Sequence, residues 1–151
     1  MRKYGIFGIL FLSLCLFGAV HTAYAAEEAG IGAVTVKELQ KHYGTRPEDI
    51  YAAIGPSICQ DCYEVSEDVI LEFQKTFSRE LWKDIFYRKE NGKYQLNLWE
   101  ANRQILLGAG ILPEHISMPN LCTCCNPEFL YSHRASQGKR GNLGAFLGIK
   151  R

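Results

Sequence analysis

The chain has 151 residues, of which 47% are hydrophobic and 22% charged, and its formal net charge is +1. This length and composition predict one globular domain with a real core, and they exclude two ordinary domains and a disordered chain. The near-neutral charge gives no general electrostatic reason to expect nucleic acid or an anionic membrane as a partner.

The first 25 residues have the pattern of a secretory signal. Arg2 and Lys3 supply the positive start, Ile6–Val20 is a nearly unbroken apolar run, and Ala23-Tyr24-Ala25 fits the small-x-small cleavage pattern. The run is short for a membrane span, which needs about 20 residues, so no stable span is expected. The alternative is a buried strand or core helix of a cytosolic protein, because the periodicity of a short apolar run does not distinguish these structures.

The cysteine count argues against export. Cleavage after Ala25 removes Cys15 and leaves five cysteines, an odd number that requires an unpaired thiol in an exported chain. The adjacent Cys124 and Cys125 are hard to pair with each other, and reduced thiols of a cytosolic protein explain the set more simply. The sequence therefore predicts a domain over residues 26–151 and leaves its compartment open between cytosolic and exported.

Secondary structure is predicted in mixed order. Helices are predicted over Ala29–His42, from Ser66 through Leu81, and over Leu98–Leu107 with Asn97 as the N-terminal cap. Strands are predicted at Ile50–Ile54, His115–Met118, Phe129–His133 and Leu143–Ile149, with a turn at Asn91-Gly92. Because this order is not a regular βαβ repeat, the predicted fold class is α+β, a single domain with a mixed β-sheet packed by helices.

Two cysteine-bearing loops, Ile54–Val65 and Leu121–Arg140, contain most of the residues suited to chemistry. The first contains Cys59-x-x-Cys62, a spacing typical of metal or redox sites because one tight turn directs both sulfurs to one point. The second loop contains three more cysteines: Cys122, Cys124 and Cys125. Together the loops could supply four thiolates to zinc, but the second group lacks the spacing of a zinc ribbon and the intervening stretch is too long. The simpler interpretation makes most of these cysteines small, partly buried apolar residues.

Other polar residues give weaker indications. Arg134, Lys139 and Arg140 lie near Ser132 and could bind a phosphate or carboxylate through charge-assisted hydrogen bonds, or form a solvated basic loop. His21 follows an apolar run, where a lone histidine is more often an incidental polar residue than a ligand.

Three linked motifs carry a family resemblance: Ala52–Val65, Leu96–Arg103 and Cys122–Ala135. They resemble the laccase-domain family, also called the multicopper polyphenol oxidase or purine nucleoside phosphorylase family. The match runs in order from about Gly18 to Ile149, and it covers only about the C-terminal half of a full-length member. The resemblance therefore implies a truncated member whose fold is incomplete relative to the full-length family fold.

The resemblance also implies a metal, usually zinc, held by a His-Cys-His set. The last of these histidines begins a His-Ala-Gly-Trp-Arg-Gly motif, and His21-Thr22-Ala23-Tyr24-Ala25-Ala26 lies in that register. His21 is then the one retained ligand, with Tyr24 in place of the Trp and Ala25 in place of the Arg. The Val-His-Gly and Asp-Cys-x-Pro motifs that supply the other two ligands do not occur in this sequence.

The implied activity is phosphorolysis of purine nucleosides, with adenosine deamination in some members. A catalytic zinc needs about three protein ligands and an open position, so we predict that this chain alone is weak or inactive. The resemblance implies that the two loops line the pocket, with four substrate contacts: Thr123, Ser132, Arg134 and Arg140. The alternatives are an exported or degenerate non-catalytic binding domain, and a thiol-redox protein that uses Cys59 and Cys62.

Overall fold

A computed structural model describes residues 30–118, 120–139, 141 and 143–144, together with the backbone of residues 9–12. The strands in these ranges are β1 (Ile9–Leu12), β2 (Tyr51–Ile54), β3 (Glu64–Val65), β4 (Phe86–Arg88), β5 (Tyr94–Leu96) and β6 (Ile116–Ser117). The α-helices are α1 (Ile31–Tyr43), α2 (Glu67–Thr76), α3 (Trp82–Ile85) and α4 (Leu98–Gly108). Among the described residues, no helix combines the length and the apolar character needed to cross a membrane.

One sheet is parallel, with the strand order β1-β2-β6. Strand β1 pairs with β2 from Ile9 opposite Tyr51 to Leu12 opposite Ile54, and β6 pairs along the other side of β2. Strand β1 lies inside the apolar run Ile6–Val20. The predicted boundary between a signal-like segment and the domain, at residue 25, stays a prediction.

The second sheet is antiparallel, with the order β3-β5-β4. Strands β4 and β5 form a hairpin whose connection contains the predicted Asn91-Gly92 turn. Gly92 has φ +82°, a left-handed conformation that glycine adopts without steric cost. With one parallel and one antiparallel sheet beside the helices, the predicted α+β class is confirmed.

Two apolar clusters form the core of the described part of the chain, and α4 contributes to both. Leu98 and Ala101 of α4 pack in a cluster with Ile70 of α2 and Leu96 of β5. Leu106 of α4 packs in the other cluster, which lies against β2 and α1 and also contains Val36, Ile50, Ala52, Ile54 and Ile111. Because one helix serves both clusters, the two sheets belong to one folded unit.

The predicted helix cap at Asn97 is confirmed, since its side-chain oxygen accepts a hydrogen bond from the amide of Glu100 at 3.1 Å. The helix predicted from Ser66 through Leu81 is too long. Helix α2 ends at Thr76, where Phe77 adopts an extended conformation, and a short 3₁₀ turn follows before α3.

The predicted strand at Phe129–His133 is wrong. The amides of Phe129 and Leu130 both bond back to the carbonyl oxygen of Asn126, which gives turns. Phe129 is 82% exposed and Tyr131 is 64% exposed, so the apolar alternation has no core to face. The strand predicted at His115–Met118 is confirmed at Ile116–Ser117, and that at Leu143–Ile149 lies largely outside the described residues.

Replacing Gly110 with alanine is expected to lower the free energy of unfolding by about 1–2 kcal/mol. Gly110 has φ +92°, and an added Cβ would lie 3.1 Å from Cβ of Pro47. The matched control is Gly108→Ala at the end of α4, where an added Cβ meets nothing within 4 Å. That change should be neutral or stabilising by about 0.5 kcal/mol. Urea unfolding of both variants tests this, and equal effects would contradict it.

Candidate functional site

The two cysteine loops meet at one edge of the parallel sheet. Strand β2 ends at Ile54 and β6 ends at Ser117, and because the strands are parallel their carboxyl ends share an edge. A bridge pairs Ser57 with Cys122, and the amide of Thr123 donates to the carbonyl oxygen of Ser57 at 3.1 Å. Ligands of open parallel sheets bind outside this edge, so the junction of the loops is the candidate site.

Four thiols gather at this junction. The sulfur atoms of Cys59, Cys62, Cys122 and Cys125 all lie within 4.8 Å of one another. The Sγ atom of Cys125 is 3.5 Å from that of Cys62 and 3.9 Å from that of Cys59. None of the five cysteines in the described part of the chain forms a disulfide. This four-cysteine cluster can hold a metal ion.

The expectation that the second loop lacks the cysteine spacing of a zinc site is wrong. The cluster uses Cys122 and Cys125 and leaves out Cys124, so both loops present the same Cys-x-x-Cys spacing. The long intervening stretch does not separate the two pairs, because α2, the antiparallel sheet and α4 lie between them in sequence while β6 returns beside β2. Cys122 is buried, whereas Cys125 is exposed, so the cluster is more than a set of apolar core residues.

Hydrogen bonds concentrate negative charge on Cys122. Burial opposes ionisation of this thiol, but the amides of Cys59 and Cys125 donate to its Sγ at 3.2 and 3.4 Å. The net effect lowers the pKa of Cys122 to about 7. Its thiol neighbour Cys125 has a pKa raised to about 11, chiefly by its contact with Cys122. Burial raises the pKa of Cys62, which disfavours the nucleophilic thiolate that a Cys59–Cys62 redox role requires.

Arg134 joins the second loop to the first. Its guanidinium lies 5.5 Å from the ring centroid of Tyr63, and both terminal nitrogens donate to the carbonyl oxygen of Glu64 at 3.3 Å. Within the described ranges no carboxylate forms an ion pair with Arg134. The arrangement fixes this cation beside the backbone that follows Cys62.

The other predicted substrate contacts have different surroundings. Ser132 is buried, and its hydroxyl oxygen accepts a hydrogen bond from the amide of Ala135 at 3.2 Å, which shapes the turn that contains Arg134. Thr123 is buried beside Ser57. Arg140 and His21 lie outside the described residues. Substrate contact by the predicted residues therefore stays a prediction.

Glu64, a residue of the first loop, has two lysine partners on the β4–β5 hairpin and its turn. The carboxylate of Glu64 contacts the ammonium groups of Lys89 at 2.5 Å and Lys93 at 3.2 Å. These contacts and the amide of Asn91 lower the pKa of Glu64 to about 2. A carboxylate held ionised in this way has no proton to donate near neutral pH, so Glu64 fixes the hairpin to the first loop. A further contact, which the sequence did not predict, joins the indole nitrogen of Trp99 to the hydroxyl of Ser57.

The mixed fold defines an α+β domain in which two cysteine loops meet at one edge of the parallel sheet. The family model described as multi-copper polyphenol oxidoreductase laccase matches residues 13–150, and the chain belongs to that family. The predicted laccase-domain membership is thereby confirmed.

Relatives of established name support the same assignment. Purine nucleoside phosphorylase YlmD of Bacillus subtilis is 38% identical over 137 residues, which are 89% of this chain and 48% of that protein. Adenosine deaminase RL5, from an unknown prokaryotic organism, is 33% identical over 89% of this chain and 51% of that protein. The crystal structure of YlmD from Geobacillus stearothermophilus superposes with a TM-score of 0.69 at 36% identity, covering 75% of this chain and 42% of that one. The chain thus spans about half the length of the curated relatives it matches.

Proposed function

We propose that the chain is the C-terminal portion of a laccase-domain protein that cleaves purine nucleosides with phosphate and deaminates adenosine as a side activity. The 38% identity with a purine nucleoside phosphorylase over 89% of the chain carries the proposal. The junction of the two loops supports it, because this edge of a parallel sheet is where small ligands bind. Arg134 supplies an exposed guanidinium beside that junction, suited to phosphate oxygens.

The metal expected of the family does not fit the residues of this chain. Of its His-Cys-His set the sequence retains His21, and the two motifs that supply the other ligands do not occur. In the part of the chain that the structure describes, the four-cysteine cluster is the one group of three or more metal-ligating side chains. Four protein ligands leave no open coordination position for a substrate or a reactive water. We therefore assign no catalytic step to a metal and propose that the chain alone is weak or inactive.

The described residues supply the wall of a substrate site. The Arg134 guanidinium has donors beyond the two used on Glu64, and they can bind phosphate or a ribose oxygen. Ser132 and Thr123 hold the backbone within the second loop, and the Tyr63 ring makes a cation–π contact with Arg134. These residues bind and orient a substrate, while the groups that would activate it come from outside the described residues.

The purified 151-residue chain is expected to cleave inosine or adenosine with phosphate at least about 100-fold more slowly than the B. subtilis relative, because ligands of the reacting metal are missing. Fusing the unmatched portion of that relative ahead of this chain should restore cleavage. Arg134→Ala should lower kcat/KM of the fusion by about tenfold or more. The control Lys83→Ala, at an exposed position of α3 outside both loops, should leave it nearly unchanged. Chromatographic measurement of the released base tests all three.

Two results would contradict the proposal. A free chain as fast as the B. subtilis relative would refute weak activity alone. A folded fusion without activity on inosine, adenosine or guanosine would refute the substrate class.

A further inference from the structure

The four-cysteine cluster uses none of the ligands that the family resemblance implies. We propose that Cys59, Cys62, Cys122 and Cys125 bind one zinc ion as a closed structural site, which fixes the loop after β2 to the segment after β6. This inference does not depend on the proposed function, because it concerns side chains of this chain alone.

The distances between the sulfurs suit an ion rather than a disulfide. Four sulfurs at the usual zinc–sulfur distance of about 2.3 Å from one centre lie about 3.8 Å apart in a tetrahedron. The Sγ atom of Cys125 is 3.5 Å from that of Cys62 and 3.9 Å from that of Cys59. A disulfide would need about 2.05 Å between bonded sulfurs. The cluster is therefore already near the spacing that a bound zinc ion requires.

The donor set selects the kind of metal. All four donors are cysteine sulfurs, and no carboxylate or histidine of the described residues belongs to this group. Hard cations such as magnesium and calcium prefer oxygen ligands, whereas four thiolates in a tetrahedron bind zinc or iron. Two Cys-x-x-Cys pairs are the arrangement of structural zinc sites, so the structure favours zinc over the other metals.

Hydrogen bonds around the cluster hold its ligands in place. The amides of Cys59 and Cys125 both point at the sulfur of Cys122, and such donors stabilise a metal-bound thiolate. Asn126 donates from its side chain to the carbonyl oxygen of Cys122 at 2.7 Å. In the first loop a 3₁₀ turn at Gln60–Cys62 directs Cys62 toward the second loop. The ligand geometry is thus built from turns that the chain forms locally.

The test compares the full-length chain with Cys125→Ser and Cys124→Ser. Cys125 is the exposed member of the cluster, so its replacement perturbs the core least. Cys124 is the stringent control, because its thiol contacts that of Cys62 yet it does not belong to the group of four. Elemental analysis should find about one zinc per chain in the wild type and in Cys124→Ser. Cys125→Ser should bind zinc at least about tenfold more weakly, as judged by competition with a chromophoric chelator.

Two further readouts make the result independent of activity. Cobalt substituted for zinc should show the intense visible bands and sulfur-to-metal charge transfer of a tetrahedral thiolate site in the wild type and in Cys124→Ser. Chelation should expose four additional thiols to a thiol reagent. Circular dichroism establishes that Cys125→Ser is folded, and Cys59→Ser provides a second ligand variant if it is not.

Several outcomes would overturn the proposal. Wild-type chain that takes up no zinc under reducing conditions refutes the site, and so does a Cys62–Cys125 disulfide in freshly purified chain. Iron bound in place of zinc would refute zinc as the metal of this site. Equal loss of zinc in Cys124→Ser and Cys125→Ser refutes the ligand assignment.

Discussion

Replacing Ile70 with alanine is expected to lower the free energy of unfolding by about 2–5 kcal/mol. Ile70 is 1% exposed and lies on the inner face of α2, in the cluster that also contains Leu96 of β5 and Leu98 of α4. Truncation removes apolar contacts from three elements at once and leaves a cavity, because close-packed neighbours relax only in part. Total stabilities are about 5–15 kcal/mol, so this one change removes a large fraction.

The next residue of the same helix provides the matched control. Leu71 has the same side-chain size as Ile70 but is 51% exposed. Leu71→Ala should therefore change the stability by no more than about 0.5 kcal/mol. Urea unfolding followed by circular dichroism compares the two variants. Equal losses of unfolding free energy would show that the face of α2 that carries Ile70 is not the buried one.

Removing zinc from the four-cysteine cluster is expected to loosen the two loops while the cores stay folded. The amide of Thr123 is held by the carbonyl oxygen of Ser57, and the amide of Cys62 by that of Cys59, so both bonds lie beside the proposed site. Local opening there should speed amide hydrogen exchange at Thr123 by at least about 100-fold. Leu106 packs in the cluster against β2, away from the sulfurs, and its amide should keep its protection.

Hydrogen exchange measured with and without chelator tests this expectation. Cys125→Ser should exchange rapidly at Thr123 even without chelator, whereas Cys124→Ser should respond like the wild type. Equal acceleration at Thr123 and Leu106 would mean that the metal holds the whole fold. If exchange is accelerated at neither position, the metal does not hold the two loops together.

Local signals in the sequence predicted the elements that depend on local chemistry. The cap at Asn97 and the turn at Asn91-Gly92 are correct because each depends on neighbouring residues. The strand predicted at Phe129–His133 is wrong because alternation of apolar residues reports burial only when a sheet is present to bury them. The β4–β5 strands escaped prediction because each has three residues, too few for a period to be recognised.

The candidate site was predictable in its parts but not in its assembly. The sequence identified both cysteine loops, yet the second loop offers three cysteines, and only the folded structure shows that Cys122 and Cys125 complete the group of four. The contact of Arg134 with Tyr63 and Glu64 crosses 70 positions of sequence, and no local pattern encodes it. The family resemblance supplied the order of these motifs, while their distances came from the fold.

The two sheets differ in how far along the chain their partners lie. In the antiparallel sheet Phe86 pairs with Leu96, a short closure through the Asn91-Gly92 turn. In the parallel sheet Ala52 pairs with Ile116, and Ile9 with Tyr51, so each pairing closes a long segment. Closing a longer segment costs more chain entropy and slows the search for the native contact. The β4–β5 hairpin therefore has the lower contact order, and the parallel sheet that carries the candidate site is expected to form more slowly.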